Sequence, residues 1–479
     1  GIKLIVYLDD FLIISSGKSQ AEKDFLFTVE LLEAVGFVIN RAKSSGVPSQ
    51  SREFLGLVVD SRSLTLSLKK DKVKQMVGSC RKMLSLGKAL SSLIGNFSWA
   101  ISAVPFAQAH YRSLQHRFLV ESRLSDPSAK IPLDIESKSD LAWWRDNLLK
   151  VNGKPIRLSS GEFADITIFA DASLIGWGAV CDKSTAQGPW TLEEKTLHIN
   201  HLELIAALYA LQCFTARASG VSVLIYSDNS TAVAYINRCG GTWSRSLSAT
   251  AKSIVEWCEP RRLSLTAVHL AGSRNMVADY QSRVFLDQSD WKLSAISFHQ
   301  INSRWKMEVD LFAAAWSSQL VKFASWQPQP GAWAVNAFTF SWKNLWAYAF
   351  PPFSLILRCI SKVKRELADL VLVTPYWPSQ VWFPLALELT SDIPVILPPT
   401  DRQLTSATGE THPQIKSRSL ILVAWRLSGN ASESKAFRKK WRNFCWMETV
   451  SPHQLLTKPD GHYGVIGAVK NIRIPCRMI

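Results

Sequence analysis

The 479-residue sequence lacks several patterns that would assign it directly to a class of protein. Its eight cysteines form no C-x-x-C pair and no zinc-type spacing, which predicts free thiols in a reducing intracellular compartment. No uncharged apolar run reaches the about 18 residues that a bilayer span requires, so we expect no membrane partner. The G-x-x-x-x-G-K-[ST] phosphate loop and the H-E-x-x-H zinc motif are also absent.

Acidic residues are fewer than basic ones: 39 Asp and Glu stand against 55 Lys and Arg. The net charge is therefore +16. The excess lies at the two ends: residues 1–150 carry 21 basic and 15 acidic side chains, and residues 411–479 carry 12 and 3. Residues 165–284 and residues 285–410 each contain 10 basic and 10 acidic side chains, so neither range has a net charge. Basic ends of this kind are typical of a polyanion-binding protein, most often one that binds nucleic acid, and a merely soluble basic surface is the alternative.

The composition is that of a folded chain, with 47% hydrophobic and 20% charged residues. At roughly 100–200 residues per domain, the length predicts three to four domains. Strand-like apolar runs alternate with helix-like periodic segments, which predicts an α/β multidomain architecture.

The first 16 residues, GIKLIVYLDDFLIISS, consist of two β-rich apolar runs that flank Asp9 and Asp10. This pattern predicts a hairpin with an acidic turn. Two adjacent carboxylates at the tip of an apolar hairpin are costly unless a cation neutralises them, and a divalent metal is the obvious candidate. An ordinary Asp-Asp turn is the alternative.

Tyr7-Leu8-Asp9-Asp10 resembles the Y-x-D-D motif of reverse transcriptases, and the G-F-x-x-N-x-x-K and F-L-G elements that follow resemble the next motifs of that palm domain. The resemblance implies a partial palm over 1–85 with Asp9 and Asp10 as metal ligands. It also implies a helical thumb and connection over 86–160. The third carboxylate that two-metal polymerisation needs would lie upstream of Gly1.

Four further acids and one histidine follow in the central part of the chain, each at the end of a strand-like run or in a helical pattern. They are Asp171, Glu203, Asp228, His269 and Asp279. Any one of these acids alone could be a helix cap or a turn residue. Carboxylates that converge on one point repel each other and need divalent cations between them, which is the arrangement of two-metal phosphodiester chemistry.

This set resembles ribonuclease H, through D-x-S after the first strand, L-E-L on the first helix, D-N after a later strand, and a closing segment from His269 to Asp279. The resemblance implies a ribonuclease H domain over 161–290, a mixed sheet with helices. Asp171, Glu203, Asp228 and Asp279 would be its catalytic metal ligands, and His269 an auxiliary residue or a structural loop histidine. It further implies two Mg²⁺ ions, with Mn²⁺ as a substitute, and RNA–DNA hybrid, DNA and RNA as partners.

Twelve of the 19 tryptophans lie from residue 291 onward, among short strands and Pro-marked loops that predict another α/β module over 291–405. The module resembles the one that follows ribonuclease H in DIRS-type retrotransposons, which is similar to Dam-type adenine methyltransferases. We expect it to be non-catalytic, because Phe350 stands where the D/N-P-P-F/Y motif needs Asp or Asn. Residues 406–479 are predicted to be a basic tail or linker, and the rest of a retroelement polyprotein is the implied partner.

Three functions remain open from the sequence. The chain is expected to be a reverse transcriptase/ribonuclease H fragment in which the nuclease is the only complete active site. It could also be a non-catalytic nucleic-acid-binding remnant. The third alternative is another nuclease or a transposase of the ribonuclease H superfamily, against which the upstream Y-x-D-D segment argues.

The incomplete palm generates a first prediction. The isolated chain should give no DNA product in a primer-extension assay with a primed template, deoxynucleotides and Mg²⁺, because two carboxylates without the third cannot hold both metal ions. An active reverse transcriptase in the same buffer is the positive control. Extension that is lost in an Asp9→Asn, Asp10→Asn variant would contradict the prediction.

Overall fold

A computed structural model describes residues 1–86, 90–121, 132–156, 164–284, 290–442 and 464–478. The chain divides into two compact units, and each is described by itself. The first unit comprises Gly1–Asp165, Gly220–Ser222 and Val233–Thr266, and the second comprises Ile166–Ser219, Val223–Ala232 and Ala267–Ile479. No helix in the described ranges is both long and apolar enough to cross a bilayer.

The amino-terminal part contains the predicted hairpin, a four-stranded antiparallel sheet in the order β3-β4-β5-β6, and five helices. The strands are β1 (Lys3–Tyr7), β2 (Asp10–Ile14), β3 (Ser51–Phe54), β4 (Leu57–Asp60), β5 (Thr65–Leu68) and β6 (Lys154–Pro155). The helices are α1 (Lys18–Ala34), α2 (Lys70–Leu86), α3 (Leu90–Ala100), α4 (Arg112–Glu121) and α5 (Ile135–Val151), with a 3-10 turn at Ala107–His110.

The central part is built on a five-stranded mixed sheet in the order β11-β10-β7-β8-β9. Its strands are β7 (Ile166–Ala172), β8 (Gly176–Cys181), β9 (Ser184–Pro189), β10 (Ser222–Ser227) and β11 (Ser264–His269). Its helices are α6 (Ile199–Phe214), α7 (Ser230–Asn237), α8 (Arg245–Arg261) and α9 (Met276–Arg283), with 3-10 turns at Glu194–Thr196 and Gly272–Arg274.

Helix α8 belongs to the first unit, although the sequence predicts one domain over 161–290. The reason is a buried polar network: Lys252 Nζ on α8 lies 2.9 Å from Oδ1 of the fully buried Asp140 on α5. In addition, Glu259 Oε2 lies 3.1 Å from Nε2 of the buried His110. A buried polar group is stable only with a partner, so these contacts fix α8 against α5 and against the 3-10 turn that carries His110.

Gly178 on β8 allows helix α9 to approach the sheet closely. A Cβ at this position would lie 2.4 Å from the carbonyl oxygen of Ala278 and 2.5 Å from the backbone nitrogen of Ser282. Gly178 is also the register partner of Asp171 on β7. The absence of a side chain at Gly178 therefore brings α9, which carries Asp279, directly onto the strand pair that carries Asp171.

The carboxy-terminal part forms a nine-stranded sheet. Its strands are β13 (Val309–Asp310), β14 (Lys322–Ser325), β15 (Ala334–Val335), β16 (Trp346–Ala349), β17 (Asp369–Pro375), β18 (Val395–Leu397), β20 (Leu422–Ser428), β21 (Gly464–Val469) and β22 (Ile472–Met478). The strands β12 (Lys292–Leu293) and β19 (Leu404–Thr405) pair separately. The helices are α10 (Ala295–Trp305), α11 (Ile356–Glu366), α12 (Phe383–Leu389), α13 (Pro413–Lys416) and α14 (Ala431–Trp441), with 3-10 turns at Ala337–Thr339 and Phe353–Leu355.

The nine strands follow the order β15-β14-β13-β16-β17-β20-β18-β22-β21. The first five are parallel, and β20 is inserted antiparallel between β17 and β18. The chain moves outward from β13 to β15 and then returns to β16 on the other side. The point between β13 and β16 is therefore a topological switch point, where α/β sheets open a crevice at the carboxyl ends of the strands.

The described residues within 406–479, which are 406–442 and 464–478, differ from the predicted basic tail or linker. Strand β20 pairs with β17 along seven residues, and β22 pairs with β18, so the segment completes the sheet instead of leaving it. The physical reason is the buried, almost continuous apolar strand Leu422–Ser428, whose Trp425 is fully buried and donates through Nε1 to Thr374 Oγ1 at 2.8 Å. Among the described tryptophans from residue 291 onward, five are buried in the core: Trp305, Trp342, Trp382, Trp425 and Trp441.

Replacement of Trp425 tests whether this segment is integral to the sheet. Trp425→Ala should lower the free energy of unfolding by about 3–5 kcal/mol, because it leaves a large cavity and removes the partner of the Thr374 hydroxyl. Trp326→Ala is the matched control, because Trp326 is 55% exposed, and it should change stability by no more than about 0.5 kcal/mol. Urea unfolding followed by circular dichroism measures both, and equal effects would show that β20 is not part of the core.

Candidate active site

Asp171 lies near the carboxyl end of β7, in the centre of the five-stranded sheet. Its side chain is buried, and its Oδ2 accepts a hydrogen bond of 2.8 Å from Ser282 Oγ on α9. Burial raises the pKa of Asp171 to about 6; the Ser282 bond opposes the rise, and the charges of Asp228 and Asp279 add to it. Asp171 is thus a carboxylate held in a dry, acidic environment.

Glu203 projects from the second turn of α6, which packs on β7 and β8. Only 4% of the residue is exposed, and its Oε2 accepts from Ser227 Oγ at 3.3 Å. Burial, followed by the charges of Asp171 and Asp228, raises the pKa of Glu203 to about 8. A buried carboxylate with so few hydrogen bonds is costly in its charged form unless a cation is present.

Asp228 follows the last residue of β10 and is exposed. Strand β10 runs parallel to β7, so the carboxyl ends of the two strands meet at the same edge of the sheet. The structure brings Asp171, Glu203 and Asp228 together: one carboxylate oxygen from each lies within 4.8 Å of the others. Two of these acids are buried and the third is open to solvent, which leaves an entry path for an ion.

The donor set of this triad fits a hard divalent cation. It consists of carboxylate oxygens alone, without the sulfur or imidazole ligands that zinc prefers. Burial, and then the charges of neighbouring acids, raises the pKa of Asp171 and Glu203, so a nearby cation would favour their charged forms. Magnesium and manganese both accept such ligands.

Asp279 lies on α9 outside this triad, one helical turn before Ser282. Its Oδ1 accepts a hydrogen bond from Arg283 Nε at 2.8 Å and lies 2.7 Å from Nη2 in an ion pair, and its backbone carbonyl accepts from Ser282 Oγ at 2.9 Å. Ser282 Oγ therefore contacts both Asp171 and the backbone of Asp279. The fourth predicted acid is next to the site, but in this structure its partner is an arginine.

His269 is the exposed last residue of β11, next to β10 in the sheet. The backbone N–H of the following Leu270 donates to the Ser227 carbonyl at 3.0 Å, one residue before Asp228. The end of β11 that carries His269 is thus anchored beside the strand end that carries Asp228. Its role remains a prediction.

Tyr7, Asp9 and Asp10 lie at the predicted hairpin, where Tyr7 pairs with Asp10 and Leu8 adopts a left-handed φ of 54°. All three side chains are exposed. Among the residues that the structure describes, the only group of three or more acids, histidines or cysteines in metal-binding proximity is Asp171, Glu203 and Asp228. The hairpin therefore presents two carboxylates, as the sequence predicts, and no third metal-ligating side chain joins them within the described ranges.

The loops that follow β13 and β16 in the carboxy-terminal module meet at the switch point of its sheet. Phe312, just after β13, and Phe350–Phe353, just after β16, line one crevice together with Ser317, Asp290 and Trp291. Asp310 is buried and accepts from the backbone N–H groups of Phe312 and Gln319 at 3.3 and 3.1 Å. The structure thus places Phe350 in the crevice wall, where the methyltransferase motif would have Asp or Asn.

Sequence reasoning missed Ser282 and Arg283. Both lie in the last turn of α9, three and four residues after Asp279, and each contacts one of the predicted acids. The i+3 and i+4 spacing was a usable signal for Arg283, because such pairs face each other on a helix. The Ser282 contact with Asp171 joins elements 111 residues apart and depends on the Gly178 packing.

No family model and no curated protein matches the sequence. The chain is similar to solved structures of the foamy viral protease-reverse transcriptase, in complex with dsDNA and in complex with RNA/DNA hybrid. Both comparisons give 15% identity over 55% of this chain, with a TM-score of 0.30, and they cover 54% and 35% of those chains. The chain therefore spans about half or less of those proteins.

The chain is also similar to the solved structure of RNase H1 from the halophilic archaeon Halobacterium salinarum NRC-1. That comparison gives 15% identity over 24% of this chain and 92% of that one, with a TM-score of 0.20. The neighbours are thus a reverse transcriptase and a ribonuclease H. At these TM-scores the functional conclusion rests on side-chain geometry and not on the likenesses.

The buried acids make the stability of the metal-free protein pH-dependent. In the folded state the pKa of Glu203 is raised from 4.5 to about 8, and that of Asp171 is raised from 3.8 to about 6. At a pH between the two values of either residue, the folded chain holds a proton that the unfolded chain has released. Stability should then fall as the pH rises from about 4.5 to about 8.

Thermal unfolding in EDTA across this pH range measures the effect. Glu203→Gln should flatten the fall, because the amide does not ionise, and Mg²⁺ should restore stability to the wild type at pH 8. Glu193→Gln, on an exposed loop, is the matched control and should unfold as the wild type does. An unchanged slope in Glu203→Gln would contradict the assignment of the slope to this site.

Proposed function

We propose that this chain hydrolyses the RNA strand of RNA–DNA hybrids by two-metal chemistry, as the ribonuclease H part of a retroelement reverse transcriptase. The observation that carries the proposal is the convergence of Asp171, Glu203 and Asp228 within 4.8 Å at one sheet edge. Two of the three are buried, and neither of these two forms an ion pair with a lysine, arginine or histidine in the part of the chain that the structure describes. That arrangement is unfavourable for a purely structural site and favourable for one that binds divalent metal.

Each side chain has a distinct task in this mechanism. Buried Asp171 and Glu203 provide fixed ligands, since the bonds from Ser282 and Ser227 orient them before any ion arrives. Exposed Asp228 faces the solvent side, where a nucleic-acid strand can approach. When bound, two divalent ions activate the attacking water and stabilise the leaving 3′-oxygen. The 2′-hydroxyl groups distinguish the RNA strand from DNA.

The basic ends of the chain would hold the polyanionic substrate. Exposed lysines occur on α2 and α14, among them Lys70, Lys74, Lys435, Lys439 and Lys440. Phosphate contacts provide affinity without sequence specificity and weaken with salt. The electrically balanced residues 165–284 would then perform the cleavage while the ends supply affinity.

The wider assignment is a DIRS-type polyprotein fragment, of intracellular location, cytoplasmic or nuclear. The Y-x-D-D hairpin supports a polymerase palm that works only in a longer parent protein. The 291–405 module, now extended by β20 to β22, is proposed to be a non-catalytic methyltransferase-like fold. Its support is the inserted antiparallel β20 together with Phe350 in place of an acid.

Cleavage of a labelled RNA–DNA hybrid by the full chain tests the proposed activity. Wild type should cleave the RNA strand with Mg²⁺ and not with EDTA. Asp228→Asn should reduce the rate by roughly a hundredfold or more, the scale of losing several kcal/mol of transition-state stabilisation.

Asp182→Asn is the matched control, because this exposed acid occupies the left-handed position of the β8–β9 turn, which Asn tolerates. It should cleave at the wild-type rate. Absence of cleavage by wild type would favour the non-catalytic remnant. Equal cleavage of hybrid and of duplex DNA would favour another nuclease of the superfamily.

A further inference from the structure

The last turn of α9 places a cation at the edge of the proposed metal site. Arg283 directs both Nε and Nη2 to the same oxygen, Oδ1 of Asp279, at 2.8 and 2.7 Å. The side chains are 60% and 41% exposed, so the pair lies at the solvent boundary. A carboxylate oxygen that is already hydrogen-bonded to and ion-paired with a guanidinium is a poorer ligand for a metal ion than a free one.

The charge of Arg283 also reaches the other acids. The pKa of Arg283 is raised first by the hydrogen bonds and charge of Asp279, and further by the charges of Asp171 and Asp228. The same guanidinium opposes the rise in the pKa of Asp171. Arg283 is therefore close enough to act as a counterion of the metal-free cluster, and the same charge must repel an incoming divalent ion.

The triad and Asp279 differ in the charge of the groups that donate hydrogen bonds to them. In the triad, Asp171 and Glu203 accept hydrogen bonds from neutral donors: Ser282 Oγ bonds to Asp171, and Ser227 Oγ and the Ala172 backbone N–H bond to Glu203. Asp279 receives them from an arginine. An ion held by the triad displaces no protein cation, whereas an ion that uses Asp279 has to compete with Arg283.

We propose that Arg283 is a positioning residue that competes with divalent metal for Asp279, so that the ion bound with Asp279 is held more weakly than the ion bound by the triad. The proposal rests on the proposed metal site. In metal-free protein Arg283 holds Asp279 beside the cluster and offsets its negative charge. Occupancy of the triad comes first, and the second ion binds only as Arg283 yields Asp279.

Calorimetric titration of the full chain with Mn²⁺ alone tests this competition without relying on catalysis. Wild type should show two binding events, one tighter than the other. Arg283→Gln should tighten the weaker event by roughly fivefold to tenfold, the effect of removing one unit charge near a surface ion, and should leave the tighter event almost unchanged. Arg283→Lys keeps the charge without the fork and should remain near wild type.

Arg274→Gln is the matched control, because Arg274 is exposed on the neighbouring 3-10 turn and forms no ion pair in the described ranges. Both of its binding events should match those of wild type. A weaker or unchanged second event in Arg283→Gln, with two events in wild type, would overturn the competition and leave the proposed function standing. Absence of any Mn²⁺ binding by wild type would overturn both.

Metal-free stability provides a second measurement. Arg283→Gln should unfold at a lower temperature than wild type in EDTA, because the cluster loses its counterion, and Mn²⁺ should raise its unfolding temperature by more than it raises that of wild type. If the ion pair is purely structural, its loss should lower the unfolding temperature by the same amount in EDTA and in Mn²⁺. That result would contradict the proposal.

Discussion

Mutual repulsion among carboxylates is the constraint on which this part of the molecule depends. Asp171, Glu203 and Asp228 present oxygens within 4.8 Å of each other, and two of them are withdrawn from water. A fold keeps such a cluster only where packing elsewhere outweighs the repulsion. Here that packing is the β7–β8 pair with α6 and α9 against it, and it closes only because Gly178 leaves room for the α9 backbone.

The protein responds to this repulsion in two ways. At Asp171 and Glu203 it supplies hydrogen bonds from neutral donors, the Ser282 and Ser227 hydroxyls and the Ala172 backbone N–H, which orient the carboxylates without an ion pair. At Asp279 it supplies a full positive charge from Arg283. The acids are therefore not four equivalent ligands. In the competition that we propose, this unequal compensation would set the order in which cations enter the site.

The carboxy-terminal sheet shows a similar dependence on contacts that are distant in sequence. Charge and composition alone separate a basic segment after residue 405 from the module before it. In the folded chain Leu422–Ser428 fills the space between β17 and β18, with Trp425 in the core. A strand whose neighbours lie some 30 to 50 residues earlier in the chain cannot be placed from its own composition. The basic residues that follow it belong to α14, a helix that packs on this strand.

The sequence by itself determined the local elements that carry the acids: the Asp-Asp hairpin, the strand ends at Asp171 and Asp228, and the helices of Glu203 and Asp279. Apolar periodicity and turn residues are local signals, so these could be predicted together with the oxygen-ligand chemistry. Tertiary structure alone decided which acids meet, because convergence depends on the parallel register of β7 with β10 and on the close approach of α9 at Gly178. It also decided that Asp171 faces Ser282, since this contact joins residues 111 positions apart, whereas Asp279 and Arg283 are four positions apart on one helix. The residue types determine the ligand chemistry of the acids, whereas the packing of the elements determines which acids lie together.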